Sequence, residues 1–103
     1  MDHHTIDVNE SDGTVRVRLG GEIDVSCVRT VRAAIGAFVG LDDVRVIVVD
    51  LADVTFLDSS GLGALLAASQ RAKGARQHFE ITNPSTAVQR VLEVTGTRHL
   101  VAG

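Results

Sequence analysis

Tryptophan and tyrosine are absent from the 103 residues, and three phenylalanines are the whole aromatic complement. A core built without them must rely on many small aliphatic contacts. Cys27 is alone, which excludes an internal disulfide and fits a reducing compartment. Acidic residues outnumber basic ones, 13 to 10. The net charge of −3 indicates no broad basic surface for nucleic acid. No apolar run is long enough to span a bilayer, so no membrane insertion is expected. The opening MDHHTIDVNE is polar and acidic, unlike a secretory signal. A cytoplasmic protein is the expectation. No repeat, low-complexity tract or linker interrupts the chain, and its length suits one domain over residues 1–103. Hydrophobic residues at 45% set it apart from disordered segments.

The most informative stretch runs from Val46 to Gly74. Val46–Val49 is a continuous apolar run ending at Asp50, as in a central strand covered on both faces. A short acidic connection and a second apolar patch, Val54–Leu57, follow. Asp58, Ser59 and Ser60 then offer three N-cap oxygens, and Leu62, Leu65, Leu66 and Ser69 fall at helical spacing. Two hydroxyls thus sit where a strand hands over to a helix N-terminus, a favourable place for an anion.

Upstream, residues 5–9 and 14–19 alternate in period two around Ser11-Asp12-Gly13, a hairpin signal. Gly20-Gly21 breaks the alternation. Asp24 or Ser26 is expected to cap a first helix whose stripe is Val28, Val31, Ile35, Phe38 and Val39, with Gly40 as its stop. Downstream, Phe79 and Ile81 mark a short strand. Asn83-Pro84 resembles a helix start, Val88, Val91, Leu92 and Thr95 form a third stripe, and Gly96 ends it. Leu100-Val101 is expected to add an edge strand. The order β-β-α-β-α-β-α gives an α/β fold: a mixed sheet with an N-terminal hairpin and helices mainly on one face.

Enzymatic chemistry finds little support. Ser59 and Ser60 are not flanked by glycines as in a nucleophile elbow, and no histidine among His3, His4, His78 and His99 is marked as their base. Asp2, His3 and His4 could bind a divalent ion loosely, but no further groups are marked to orient them, and a mobile polar end is the favoured reading. No cysteine pair is present for zinc. Gly61-Leu62-Gly63 lacks the Gly-Lys-Ser/Thr of a phosphate-binding loop, so no nucleotide cofactor is indicated. Asp50 and Asp53 read as strand-end residues, and Cys27 as a small apolar filler.

Asp58-Ser59-Ser60-Gly61-Leu62-Gly63, after the Val46–Val49 strand and Phe56-Leu57, resembles the signature of bacterial anti-sigma factor antagonists of the STAS class. Gly21-Glu22-Ile23-Asp24 resembles the approach to their first helix. Asn83-Pro84-Ser85 resembles the approach to their third, and Thr95-Gly96 its close. The resemblance implies a non-enzymatic protein that binds an anti-sigma factor with serine kinase activity and so releases a sigma factor. It implies phosphorylation of Ser59, with Ser60 as runner-up, and resetting by a serine phosphatase. The implied partner-binding residues are Glu22, Asp24, Asp58, Ser59, Ser60, Gly61, Leu62 and Gly63. Val25-Ser26-Cys27 departs from the more familiar members, and many of those continue with another helix beyond the position of Gly103. STAS-like domains also serve as binding or scaffold subunits of transport or signalling complexes without a sigma factor, which is the alternative.

Overall fold

The computed structural model describes residues 3–101. The elements are β1 (His4–Ser11), β2 (Thr14–Ile23), α1 (Val28–Gly36), β3 (Val46–Leu57), α2 (Ser59–Gly74), β4 (His78–Thr82) and α3 (Thr86–Thr95), then a 3-10 turn over Arg98–Leu100. The strands form one sheet in the order β1-β2-β3-β4. The β1–β2 pair is antiparallel, whereas β3 runs parallel to both β2 and β4. This is the mixed sheet with an N-terminal hairpin expected from the pattern.

The hairpin closes through Asp12 (φ 49°) and Gly13 (φ 83°), both left-handed, as a two-residue turn matched to strand twist requires. Along β2, Val15, Val17 and Leu19 point inward and are essentially buried, while Arg16 and Arg18 are exposed. Across the parallel pairing Val15 meets Ile47 and Val17 meets Val49. Val31 and Ile35 of α1, Leu62, Leu65, Ala68 and Ala72 of α2, and Val88 and Leu92 of α3 join these residues in one core cluster. Asp7, Asn9, Arg16 and Arg18, on the other face of the hairpin, stay exposed.

Several boundaries differ from the expectations. β3 does not stop at Asp50 but runs on to Leu57, 12 residues in all from Val46. Its pairing with β2 slips twice, from Arg18↔Asp50 to Gly20↔Asp53 and from Gly21↔Val54 to Glu22↔Phe56, each slip inserting one extra β3 residue. The buried Asp50 carboxylate accepts the Ala52 N–H at 3.0 Å at the first slip, and its second oxygen accepts Asn83 Nδ2 at 3.3 Å. The acidic "connection" is therefore bulged strand. Gly20-Gly21 likewise lies within β2, which runs on to Ile23. Gly21 takes a φ of +79°, with the His3 carbonyl oxygen only 2.0 Å from where a Cβ would stand. The pair permits a close strand crossing rather than ending the strand.

Neither Asp24 nor Ser26 caps α1. The N-cap position is Cys27, with no side-chain cap bond, and the helix ends at Gly36, with Phe38 and Val39 packing on the core from the turn beyond it. α3 begins at Thr86 rather than at Asn83-Pro84. Ser85 is its N-cap, accepting the Val88 N–H at 3.2 Å while its hydroxyl donates to the Val54 carbonyl at 2.6 Å. Gly96 ends α3 in the left-handed conformation, as expected. Val101 makes one parallel bridge to Ile81 instead of a strand. Asp2, part of the metal arrangement weighed above, lies outside the described residues.

Candidate docking site at the start of the second helix

β3 delivers the chain to Leu57, which is buried, and α2 starts two residues later. Asp58 joins them. Its extended backbone (φ −99°, ψ −177°) suits an N-cap, and its carboxylate accepts the Gly61 N–H at 2.9 Å. Its own N–H donates to the Ile23 carbonyl at 3.3 Å, tying the helix start to the end of β2. Asp58 is thus committed to structure. Ser59, the first helical residue, is exposed, and Ser60 is half-buried.

Gly61 is buried against that junction. A Cβ there would lie 2.8 Å from the Ile23 carbonyl oxygen and 2.6 Å from Leu57 Cδ1, whereas at Gly63 it would meet nothing within 4 Å. The leucine can move; the carbonyl, held by Asp58, cannot move without loosening the helix start. Gly61→Ala is therefore expected to destabilise by about 1–3 kcal/mol. Gly63→Ala, in open helix surface, should stabilise by up to about 1 kcal/mol. Urea unfolding followed by circular dichroism separates the two, and equal effects would contradict the packing described.

The second segment of the site follows β2. Ile23 pairs with Leu57 and Glu22 with Phe56, so the turn over residues 24–27 lies beside the Asp58 turn at the carboxyl ends of two parallel strands. Sheet ligands bind at such ends in open α/β folds. Asp24 accepts the Ser26 N–H at 2.9 Å and also its hydroxyl. Those two bonds from Ser26 hold the Asp24 carboxyl below the usual carboxylate range. Cys27 is buried, its thiol facing the Glu22 and Asp24 carbonyls at 3.6 Å each.

Of the residues expected at the partner surface, Glu22 and Ser59 are exposed, and Asp24, Asp58, Ser60 and Gly63 are half-buried. Gly61 and Leu62 are buried and shape the site from beneath. Two exposed apolar side chains beside these residues are not among those expected from the sequence. Val25 is 72% exposed and Phe56 48% exposed. By sequence Phe56 belongs to the apolar run Val54–Leu57, and the second β3 bulge, which no residue type announces, brings it opposite the exposed Glu22. Among the histidines, His78 lies at the far end of the sheet with Glu80 at 3.2 Å, and His3 stands 3.9 Å from Glu22. Among the described residues no group of three His, Cys, Asp or Glu side chains could hold a metal ion.

A family model described as "Mlab, STAS domain" matches residues 6–102. The chain belongs to the STAS domain family of anti-sigma factor antagonists. Anti-sigma F factor antagonist of Lysinibacillus sphaericus is 32% identical over 83 residues, covering 81% of this chain and 71% of its own length. Anti-sigma-F factor antagonist RsfB of Mycobacterium tuberculosis is 32% identical over 95 residues, covering 92% and 76%. The fold matches the unphosphorylated form of the anti-sigma factor antagonist SpoIIAA with a TM-score of 0.82 at 26% identity, over 95% of this chain and 86% of that one. The phosphorylated form of SpoIIAA, described as a Bacillus cell fate determinant, matches with a TM-score of 0.77 at 25% identity, over 95% and 89%. In this STAS domain, as in its family, the site belongs to a binding protein rather than an enzyme. No helix among the described residues is long and apolar enough to cross a membrane.

Proposed function

We propose that this STAS domain is an anti-sigma factor antagonist switched by phosphorylation of Ser59. In its unmodified form it docks on an anti-sigma factor with serine kinase activity and displaces the sigma factor. The γ-phosphoryl group of ATP then passes to Ser59 Oγ: the new O–P bond forms, the bond to ADP breaks, and the serine proton leaves to solvent or a kinase base. A serine phosphatase restores the hydroxyl. The observation that carries this reading is the exposed Ser59 placed directly after the Asp58 cap. Relatives named as antagonists, and the occurrence of SpoIIAA in both phosphorylated and unphosphorylated forms, support it.

The physics favours a change of surface over a change of fold. Phosphoserine adds roughly −1.5 to −2 charge at neutral pH. At a helix N-terminus that charge meets free N–H groups and the positive end of the dipole, so α2 tolerates it. Around it stand Glu22, Asp24 and Asp58. An interface formed with a neutral hydroxyl would then have to desolvate a concentrated negative patch.

Incubation with the anti-sigma kinase from the same organism and ATP should place one phosphate on Ser59. Phosphate found solely on Ser60 would reassign the acceptor. Ser59→Ala should fold, resist modification and keep its affinity. Ser59→Asp should fold and bind at least about tenfold more weakly in calorimetric titration, a loss of about 1.4 kcal/mol. Equal affinity of Ser59→Asp and wild type would refute a charge-based switch. Binding without any modification would favour a scaffold role in another complex.

A further inference from the structure

The exposed edge of the sheet is formed by β1, eight residues long and paired with β2 from His4 to Ser11 without a register shift. Natural edges are commonly protected by shortness, a proline, a bulge or inward charge. β1 has no proline and no bulge, and of its core-face residues only Glu10, beside the turn, carries a formal charge at neutral pH. Glu22 donates its N–H to the His3 carbonyl at 2.8 Å, which fixes the phase of the antiparallel ladder. Residues 3, 5, 7 and 9 therefore turn their backbone groups toward β2. The N–H and C=O groups of His4, Ile6, Val8 and Glu10 point away from the sheet. The side chains of these four lie on the core face, Ile6 opposite Leu19 and Val8 opposite Val17. Ile6 is half-buried against the core, and Val8 is 44% exposed.

We propose that β1 is a self-association edge, pairing antiparallel with β1 of a second copy to make a continuous sheet across a twofold axis. One register satisfies every outward position. It sets Ile6 opposite the partner's Val8 and His4 opposite the partner's Glu10, so apolar groups meet at the centre and an imidazole meets a carboxylate at the ends. Centring on Ile6 instead would set His4 against the partner's Val8, and centring on Val8 would set Ile6 against the partner's Glu10. In the favoured register the axis passes beside Asp7, and the two Asp7 side chains meet on the other face. Each has Arg18 as its neighbour across β1–β2, giving a row Arg18–Asp7–Asp7–Arg18. The repulsion at its centre and an interface of a single strand from each copy, against the roughly 1,200 Å² of stable complexes, make the dimer weak and concentration-dependent. Ser59 follows the end of β3, two strands in from this edge, so pairing leaves it open.

Sedimentation equilibrium from micromolar to millimolar protein should show the mass rising from one chain toward two. Amide exchange at Ile6 and Val8 should slow with concentration, while Asp7, already bonded to β2, stays protected throughout. Val8→Lys, at a half-exposed position, should fold normally by circular dichroism and raise the dissociation constant at least about tenfold. Asp7→Asn should lower it severalfold by removing the like-charge contact. A single-chain mass at millimolar concentration overturns the proposal. So does a dimer indifferent to Val8→Lys, which would place the contact elsewhere.

Discussion

Replacing Gln77 by leucine is expected to cost this STAS domain about 3 kcal/mol or more, although the side chain lies at the opposite end of α2 from the candidate docking site. Gln77 is buried, and its amide serves the segment between α1 and β3. Oε1 accepts the Gly40 N–H at 3.0 Å, and Nε2 donates to the Phe38 and Val44 carbonyls at 3.0 and 2.9 Å. Leucine fills a similar volume but leaves all three backbone groups without that partner. Each stranded buried group costs about 1–3 kcal/mol, and the exposure of Gly40 and Leu41 lets part of the loss be recovered by water. Gln77→Glu should fare no better, because a carboxylate has no donor for the two carbonyls. With no tryptophan or tyrosine, urea unfolding is best followed by circular dichroism. A loss below about 1 kcal/mol for Gln77→Leu would mean that the segment repairs itself, and that the amide is not its anchor.

Nothing in the local sequence Ala75-Arg76-Gln77-His78 signals this role, which depends on contacts with residues more than thirty positions earlier. The features that were legible are those with local causes. Asp12-Gly13 supplies the two left-handed residues of the hairpin turn, and alternation along Val15–Leu19 fixes which face is buried. Asp58 announces the start of α2 because a carboxylate there can bond an orphan N–H, and Gly96 announces the end of α3 because it accepts a positive φ. The same local logic misjudged Asn83-Pro84. Ser85 displaced Asn83 as the cap because its hydroxyl can bond Val88 and β3 together, while Asn83 is drawn to Asp50. At the candidate docking site, Ser59, its helix and the polar residues Glu22 and Asp24 were visible, but the exposed apolar side chain of Phe56 was not. Two bulges in β3 decide that Phe56 rather than Val54 stands in the open, and bulges arise from pairing with β2, not from residue type.

Leu65→Ala should be the most damaging simple truncation in α2, at about 2–5 kcal/mol, with Leu66→Ala costing distinctly less. The two leucines are adjacent, so they differ by about 100° around the helix and cannot both face the core. Leu65 is 0% exposed, whereas Leu66 is half-buried at the margin of the cluster. α2 packs on α1, β3 and β4, so a hole at Leu65 opens where helix and sheet layers meet. The buried core itself holds no aromatic side chain, and close-packed aliphatic groups relax incompletely into such a space. In a domain of this size, such a loss should lower the thermal midpoint by roughly 10 °C or more. The denaturant slope should stay unchanged, since the surface exposed on unfolding is nearly the same. If Ser59 acts at the surface alone, Leu65→Ala protein kept well below its midpoint should still accept phosphate from the kinase, because the Asp58 cap and the Ile23 tie lie at the helix start, beyond the cavity. Equal costs for the two truncations would mean that α2 is rotated from the orientation described, and with it the direction in which Ser59 faces.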